Sequence, residues 1–552
     1  MRWPVVFILL GLVAAGLAYD RSVELPAAVE TEATLTTVIS PSLVEPPRLD
    51  AAWYCPVGSS APGSFAVHEV AVSNLSEDPA VANLSVLTGD GPGPGQRIEL
   101  APFSTERVSL SDTLVEQIAG AVVEITGGRG AVGHSVTTPQ GVAEGPCATS
   151  ASNTWYFAAG RTSFDSTQYL ALMNPFPETA VFDVEFQAVG RSRKPGPLQG
   201  AFVKARSVRI IDVGEFVARE EALATKITTK RGRLVVERLQ LLDGQLGPSG
   251  AALQLGVPTP AKSWIFTAGR VHDAGDDLLT VYNPYSADEA SEAAGDDAAA
   301  EGGVSSLSDE REGFVNVAIE LWPDNPTDLS DFSVVTIERE VRPGTFAVID
   351  LRAQAERFEF PLPYELGVNV TSVSDTDDAL PIVAERWQFG QRVQREGITA
   401  ASADEAAVDV PGEEQDPSAV EEPGFVLQPP EPVASGLPQP IATDGISTSR
   451  GNELFSPRWV IPWVSMTGDS TLLAIAAIQE ASVEVRILSD GQLVGPVRAT
   501  VPAGGRTIIP ISSPDDGAAI EISSNTAISV EASVVVPDVT LDVVPAVPTV
   551  RG

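Results

Sequence analysis

One hexapeptide pattern constrains this chain more than any other feature. Trp155-Tyr-Phe-Ala-Ala-Gly160 returns as Trp264-Ile-Phe-Thr-Ala-Gly269 and, more loosely, as Trp53-Tyr-Cys-Pro-Val-Gly58 and Trp459-Val-Ile-Pro-Trp-Val464. Trp155 lies 102 residues after Trp53 and Trp264 lies 109 after Trp155. After each Trp comes a similar procession of short runs in which apolar and polar residues alternate, the two-residue period of half-buried strands. Examples are Val181-Phe-Asp-Val-Glu-Phe186, Val315-Asn-Val-Ala-Ile-Glu-Leu321 and Ala527-Ile-Ser-Val-Glu-Ala-Ser-Val534. Asn-Pro turns follow Trp155 and Trp264 at the same interval, 19 residues, at Asn174 and Asn283. Asn bonds its own backbone and Pro fixes φ, so this dipeptide favours a tight turn.

Six or seven short strands in roughly 100 residues is the habit of a β-sandwich. A propeller blade is shorter, about 40–50 residues. The expected fold class is therefore all-β: a tandem array of four Ig-like or β-sandwich modules. Their ranges are 53–152, 153–262, 263–394 and 458–552, with the second and third strands of module three separated by an acidic, Ala-rich insert at 286–313. A Pro- and Glu-rich stretch at 395–457 reads as a flexible linker. Helix is expected only in a turn or two, around Glu215 to Ala224 and Leu351 to Arg357.

Residues 1–19 carry one positive charge, a short apolar run and small residues at Gly16 and Ala18, which fits either a cleaved export signal or an uncleaved single-pass anchor. Residues 20–52 read as a stalk. The rest of the chain is then expected outside the cytoplasm, secreted or held to the membrane only through the N-terminal segment. The formal net charge of −39 argues against nucleic acid, because a binder must set Lys and Arg against phosphates. Residues 286–313 hold 9 acids against 1 base and 395–457 hold 12 against 2, so nearly half of the excess sits in two linker-like stretches. Cys55 and Cys147 are the only cysteines and fall near the two ends of module one, which in an exported protein reads as one structural disulfide, the alternative being two buried thiols.

The Trp-x-x-x-Ala-Gly, Asn-Pro and Val-Glu-Arg features together resemble an uncharacterised family of exported actinobacterial proteins, a domain of unknown function. That resemblance implies an envelope address and brings no activity. Only 5 of the 35 basic residues are Lys, compatible with a GC-rich genome.

Candidate chemistry is sparse. Of the three histidines, His68, His134 and His272, none forms an H-x-x-x-H pair, and His134 aligns by sequence with Glu237, Glu385 and Glu531 of the other final strands, a structural polar position. Glu237-Arg238 and Glu385-Arg386 recur in adjacent modules. Neighbours in a strand point to opposite faces, so these charges do not pair locally and each must reach a cross-strand partner or a contact between modules. Asp273, Asp276 and Asp277 cluster in one loop, but the D-x-D-x-D-G calcium pattern is absent. Module two is the electrostatic exception, with 14 bases against 10 acids. The candidate ligand or partner surface is accordingly Arg206, Arg209, Lys230, Arg231 and Arg233 with Asp273, Asp276 and Asp277. Trp53, Trp155, Trp264 and Trp459 recur at one position and are expected in the core rather than on a sugar-stacking platform. No catalytic residue, metal site or cofactor is assigned. The expected function is a non-enzymatic scaffold or binding protein of the envelope whose partners are envelope proteins or wall polysaccharide; the alternative is a carbohydrate-binding or carbohydrate-active wall protein.

Overall fold

The computed structural model describes residues 43–45, 50–127, 129–245, 247–271, 275–286, 289, 313–323, 335–360, 364–374, 379–390, 446–453, 455–465, 471–489, 491–511, 517–536, 540–545 and 547–551. The leader at 1–19, nearly all of the 286–313 insert and residues 395–445 of the linker fall outside these, as do His272 and Asp273. Among the described residues the chain is nearly all antiparallel strand, and no helix is long and apolar enough to cross a membrane.

Residues 50–146 make two four-stranded sheets. One runs Asp50–Cys55, Ala119–Thr126, Ala80–Thr88, Pro92–Leu100, and the other Thr105–Ser109, Val67–Asn74, Gly130–Thr138, Gly141–Pro146. Their apolar faces meet in one buried cluster that includes Trp53, Val70, Val72, Leu84, Val123 and Val132. The same arrangement follows in residues 154–255 and 263–449, where the second sheets read Ser207–Asp212, Ser166–Asn174, Val235–Asp243, Ser249–Leu255 and Phe346–Asp350, Asp277–Tyr282, Val383–Phe389, Ile446–Ser449. The fourth body differs. Its 20-residue strand Gly517–Val536 pairs with Ser456–Ser465 and Ala481–Ser489 through its first part and with Thr471–Ala477 through its second, fusing everything into one nine-stranded sheet.

Local chemistry explains the recurring turns. Asn174 donates from Nδ2 to the Glu178, Val203 and Lys204 carbonyls and accepts the Phe176 N–H at Oδ1. Asn283 does the same toward Gly313, Val341 and Tyr285, so the two ends of the acidic insert meet at one side chain. Asn74, which no Pro follows, fills this role in the first body. The helix Leu351–Arg357 forms where expected, with Asp350 capping the Ala353 N–H. The helix expected around Glu215 to Ala224 does not: Val213–Glu215 is a single 3-10 turn and Leu223 already opens a strand.

Two segments expected to lie outside the folded units are strands instead. Ile446–Ser449, inside the 395–457 linker range, extends the third body's second sheet beside Val383–Phe389. Four β-compatible residues with a paired edge available outweigh the composition around them. Leu43–Glu45, inside the 20–52 stalk, lies parallel to Val547–Arg551, joining the two ends of the folded chain. Gly141–Pro146, Ser249–Leu255, Ile446–Ser449 and Thr540–Pro545, the axial strands, lie against one another, first to second, second to third, third to fourth and fourth back to first. The ring is closed. Val460, Leu488 and Ala519 of the fourth body belong to the buried cluster of the first.

All four repeated tryptophans are buried. Trp155, Trp264 and Trp459 donate from Nε1 to the Leu234, Ile382 and Ile528 carbonyls, each at or just before the strand segment that carries the recurring Glu. Cys55 and Cys147 are joined in a disulfide across 92 residues, which points to an oxidising compartment outside the cytoplasm. Closing so long a loop removes unfolded-chain entropy worth about 2–4 kcal/mol. Replacing both cysteines by alanine is expected to lower the denaturant midpoint by that free energy, and reduction of the native protein should have the same effect; an unchanged midpoint on equilibrium unfolding would refute it.

Candidate functional site

Among the described residues, several buried charges are gathered at the joints between bodies. Each recurring Glu sits on a strand buried on both faces, and its carboxylate receives backbone N–H groups released where the preceding body's Trp strand ends. Glu385 of the third body accepts Ala158 N–H at 2.9 Å and Ala159 N–H at 3.1 Å. Glu531 of the fourth accepts Thr267 N–H at 2.6 Å and Ala268 N–H at 2.8 Å, with Ser449 Oγ on its other oxygen. Glu237 of the second accepts Val57 N–H at 3.1 Å. In that first joint Pro56 occupies the place of Ala158 and has no N–H to give, and His134 supplies the second contact, 2.9 Å from Glu237 Oε1.

The Arg that follows Glu237 and Glu385 points the other way, as strand geometry requires. Arg238 donates from Nη1 to Glu385 Oε2 at 3.0 Å and to the Ala159 carbonyl, from Nη2 to Gln254, and its guanidinium lies over the rings of Phe157 and Trp387. Arg386 forks onto Asp277, Nε to Oδ1 at 2.9 Å and Nη2 to Oδ2 at 2.5 Å, and also donates to the Ala268 and Leu366 carbonyls. A Cβ on Gly269 would stand 2.2 Å from Arg386 Nη1, so only glycine lets the guanidinium through. Burial pushes the Glu385 and Glu531 carboxyls up, against the opposing pull of their donors.

His68 and His134, 66 residues apart in sequence, are neighbours at 3.0 Å. His68 Nδ1 lies 2.8 Å from the Ala119 carbonyl, which can only accept, so that nitrogen carries the proton. Burial, reinforced by His134, pulls His68 down to about 3, so the ring is neutral and its Nε2 accepts from His134 Nδ1. His134 Nε2 then faces Glu237 Oε1 at 2.9 Å, with both side chains buried. Pairing register corrects the sequence alignment of His134 with the glutamates. Val70 opposes His134, Leu170 opposes Arg238 and Leu279 opposes Arg386, whereas Gly133, opposite Ala71, takes the Glu place. His134 is the first body's counterpart of the arginines. Sequence alone misplaced it by one residue because no Asn-Pro anchors the first body.

The candidate ligand surface is dispersed. Lys230 pairs with Asp183, Arg231 with Glu178, Arg209 lies over Phe182 and Arg233 over Phe176, while Arg206 is exposed. Asp277 is 2 % exposed and belongs to the Arg386 clasp, which removes it from any ligand surface; Asp276 is exposed. Among the described residues no group of three His, Cys, Asp or Glu could hold a metal ion. Concavity lies elsewhere on the second body: a cleft of about 540 Å³ lined by Arg191, Arg193, Lys194, Pro195, Phe216 and Glu220. Arg191 pairs with Glu220 and Lys194 with Glu185. The size suits a small ligand or one segment of a polymer.

That cleft lies within a stretch with recognisable relatives. Residues 137–294 match the model of a family of unknown function, DUF5719. The matched DUF5719 segment thus covers the whole second body and begins on the last strands of the first. No curated protein matches by sequence. Among solved structures, an alpha-L-rhamnosidase of Streptomyces avermitilis complexed with L-rhamnose aligns at 8 % identity and TM-score 0.13 over 63 % of this chain and 43 % of its own. A tetra-tandem repeat from the extending region of a large adhesion protein aligns at 10 % identity and TM-score 0.09, covering 90 % of this chain and 99 % of its own.

Two outcomes test the joints. Glu385→Ala leaves Arg238 and two amides buried without their acceptor and is expected to cost about 3–5 kcal/mol in guanidinium unfolding, while Glu385→Leu combined with Arg238→Met costs less than Glu385→Ala alone. For His68 the folded pKa lies below the unfolded value near 6.5, so the unfolded state binds more protons between them. Stability from this group is present above about pH 6.5 and lost as pH falls toward 3. Urea titrations of wild type and His68→Gln should show the acid-side decline shallower in the variant; parallel curves would refute the assignment.

Proposed function

We propose that this is a non-enzymatic binding or scaffold protein of the cell envelope, exported or anchored through its N-terminal segment. On this reading the four sheet bodies are copies of one β-sandwich unit. The observation that carries it is where the buried acids and histidines are spent. Glu237, Glu385, Glu531 and His134 are engaged across the joints, and Asp277 and His68 are engaged by partners within their own bodies, so these groups serve the fold rather than standing open to a substrate. A rigid ring with a basic concavity suits holding an anionic partner rather than turning over a substrate.

The partner that fits is an anionic wall polysaccharide threading the cleft of the second body, with Arg193 as the cation that no carboxylate of the described residues bridges. The immobilised full chain is expected to retain such a polymer over neutral dextran at low salt and to release it as salt rises. Arg193→Glu together with Lys194→Glu should weaken retention at least several-fold. Equal retention of dextran, or release of new reducing ends on incubation, would overturn the binding reading in favour of the carbohydrate-active alternative.

A further inference from the structure

Where three axial strands converge, a cavity of about 10 Å³ is enclosed by Gly145 and Pro146 of the first, Leu253, Gln254 and Leu255 of the second, and Thr448 of the third, with Glu237 and Arg450 completing the wall. That is room for one water-sized species. The polar groups on this wall are unusual in kind. Arg450 is 5 % exposed, and its Nε and Nη1 have no hydrogen-bond partner; neither do Gln254 Nε2 and Thr448 Oγ1. Buried donors left in this state cost about 1–3 kcal/mol each, and more when charged, so they require an explanation.

The side-chain carboxylate and amide oxygens that line the cavity are already used. Glu237 receives His134 on one oxygen and Val57 N–H on the other, and Gln254 Oε1 receives Arg238. Glu531 and Glu453 are the carboxyls that feel the charge of Arg450, and neither bonds to it; the oxygens of Glu531 are occupied by Ser449, Thr267 and Ala268. Burial pulls Arg450 down to about 10, against the opposing pull of Glu453 and Glu531. A water molecule brings two donors of its own to a wall that offers donors and little to accept them. An anion needs only acceptance. We propose that this cavity binds a single halide ion, chloride in ordinary fluids, with Arg450 as its charge partner and Thr448 and Gln254 completing its shell. Phosphate, sulfate and carboxylates are larger than the space.

The ion locks the ring at its centre, because its ligands come from the second and third bodies and from the segment leading into the fourth. Thermal unfolding of the full chain at constant ionic strength, with sodium chloride replacing sodium gluconate, is expected to raise the midpoint by roughly 1–2 °C for each tenfold increase in chloride above its dissociation constant. Arg450→Met should abolish that dependence and Thr448→Val, a milder change in shape, should reduce it. Crystals grown in bromide give a readout that needs no variant: an anomalous peak within hydrogen-bond distance of Arg450 Nε and Thr448 Oγ1 supports the site. Identical midpoints in chloride and gluconate, or a bromide-grown crystal with only water at that position, would overturn it.

Discussion

The carboxylate that reaches out of one body to collect the loose backbone N–H groups of the body before it is the contact on which the assembly rests. A strand that ends in a buried place leaves amides without partners, and such amides are costly. Here the Trp strands end at Val57, Ala158–Ala159 and Thr267–Ala268, and in each case a Glu from the following body arrives to accept. The acid in turn needs a partner in so dry a setting: Arg238 supplies a counter-charge to Glu385, and His134 meets Glu237. Neither half is stable alone. The clasp makes the folding of adjacent bodies mutually dependent, and it explains why a chain of roughly 100-residue units behaves as a ring rather than as beads.

Much of this was legible in the residues, and the failures have physical causes. Period-two alternation marked the strands of the outer sheets, which have one buried face, and the Trp spacing marked the bodies because each buried indole recurs at one place in its sheet. The reading that Glu237 and Arg238 could not pair with each other followed from strand geometry, and it pointed toward contacts between bodies. What the sequence could not convey was which acid met which cation across 147 residues, since pairing between bodies depends on register and not on spacing. The meeting of His68 with His134 was hidden for the same reason. Asp277 looked like loop acid because it stands close to Asp273 and Asp276 in sequence, yet it is the first residue of a strand and its carboxylate meets Arg386. Ile446–Ser449 and Leu43–Glu45 were obscured by Pro- and Glu-rich surroundings, since composition averages over windows longer than a four-residue strand.

The joint that closes the ring is built differently from the other three. Where the second and third bodies offer the amides of Ala158 and Thr267, the fourth has Pro462, which has no N–H. Where the following bodies carry Glu, the first has Gly133 by register, and where the preceding bodies carry His134, Arg238 or Arg386, the fourth has Ala532 opposite Leu473. Acceptor and counter-charge are missing together, and Pro462, like Pro56 of the first joint, removes one of the two amides. A glutamate at Gly133 would be a buried charge with nothing to receive, and an arginine at Ala532 a cation with nothing to neutralise; either alone would cost several kcal/mol. The space is filled by approach instead. A Cβ on Gly133 would come within 3.1 Å of Trp463 Cβ, Ser73 Oγ donates to the Pro462 carbonyl at 3.1 Å, and Arg107 lies over the Trp463 ring. Arg129 pairs with Glu521 at the rim. The joint between segments far apart in the chain is thus made from packing and rim contacts. The three joints between successive bodies carry the buried polar clasps, which require both partners in place before water is excluded.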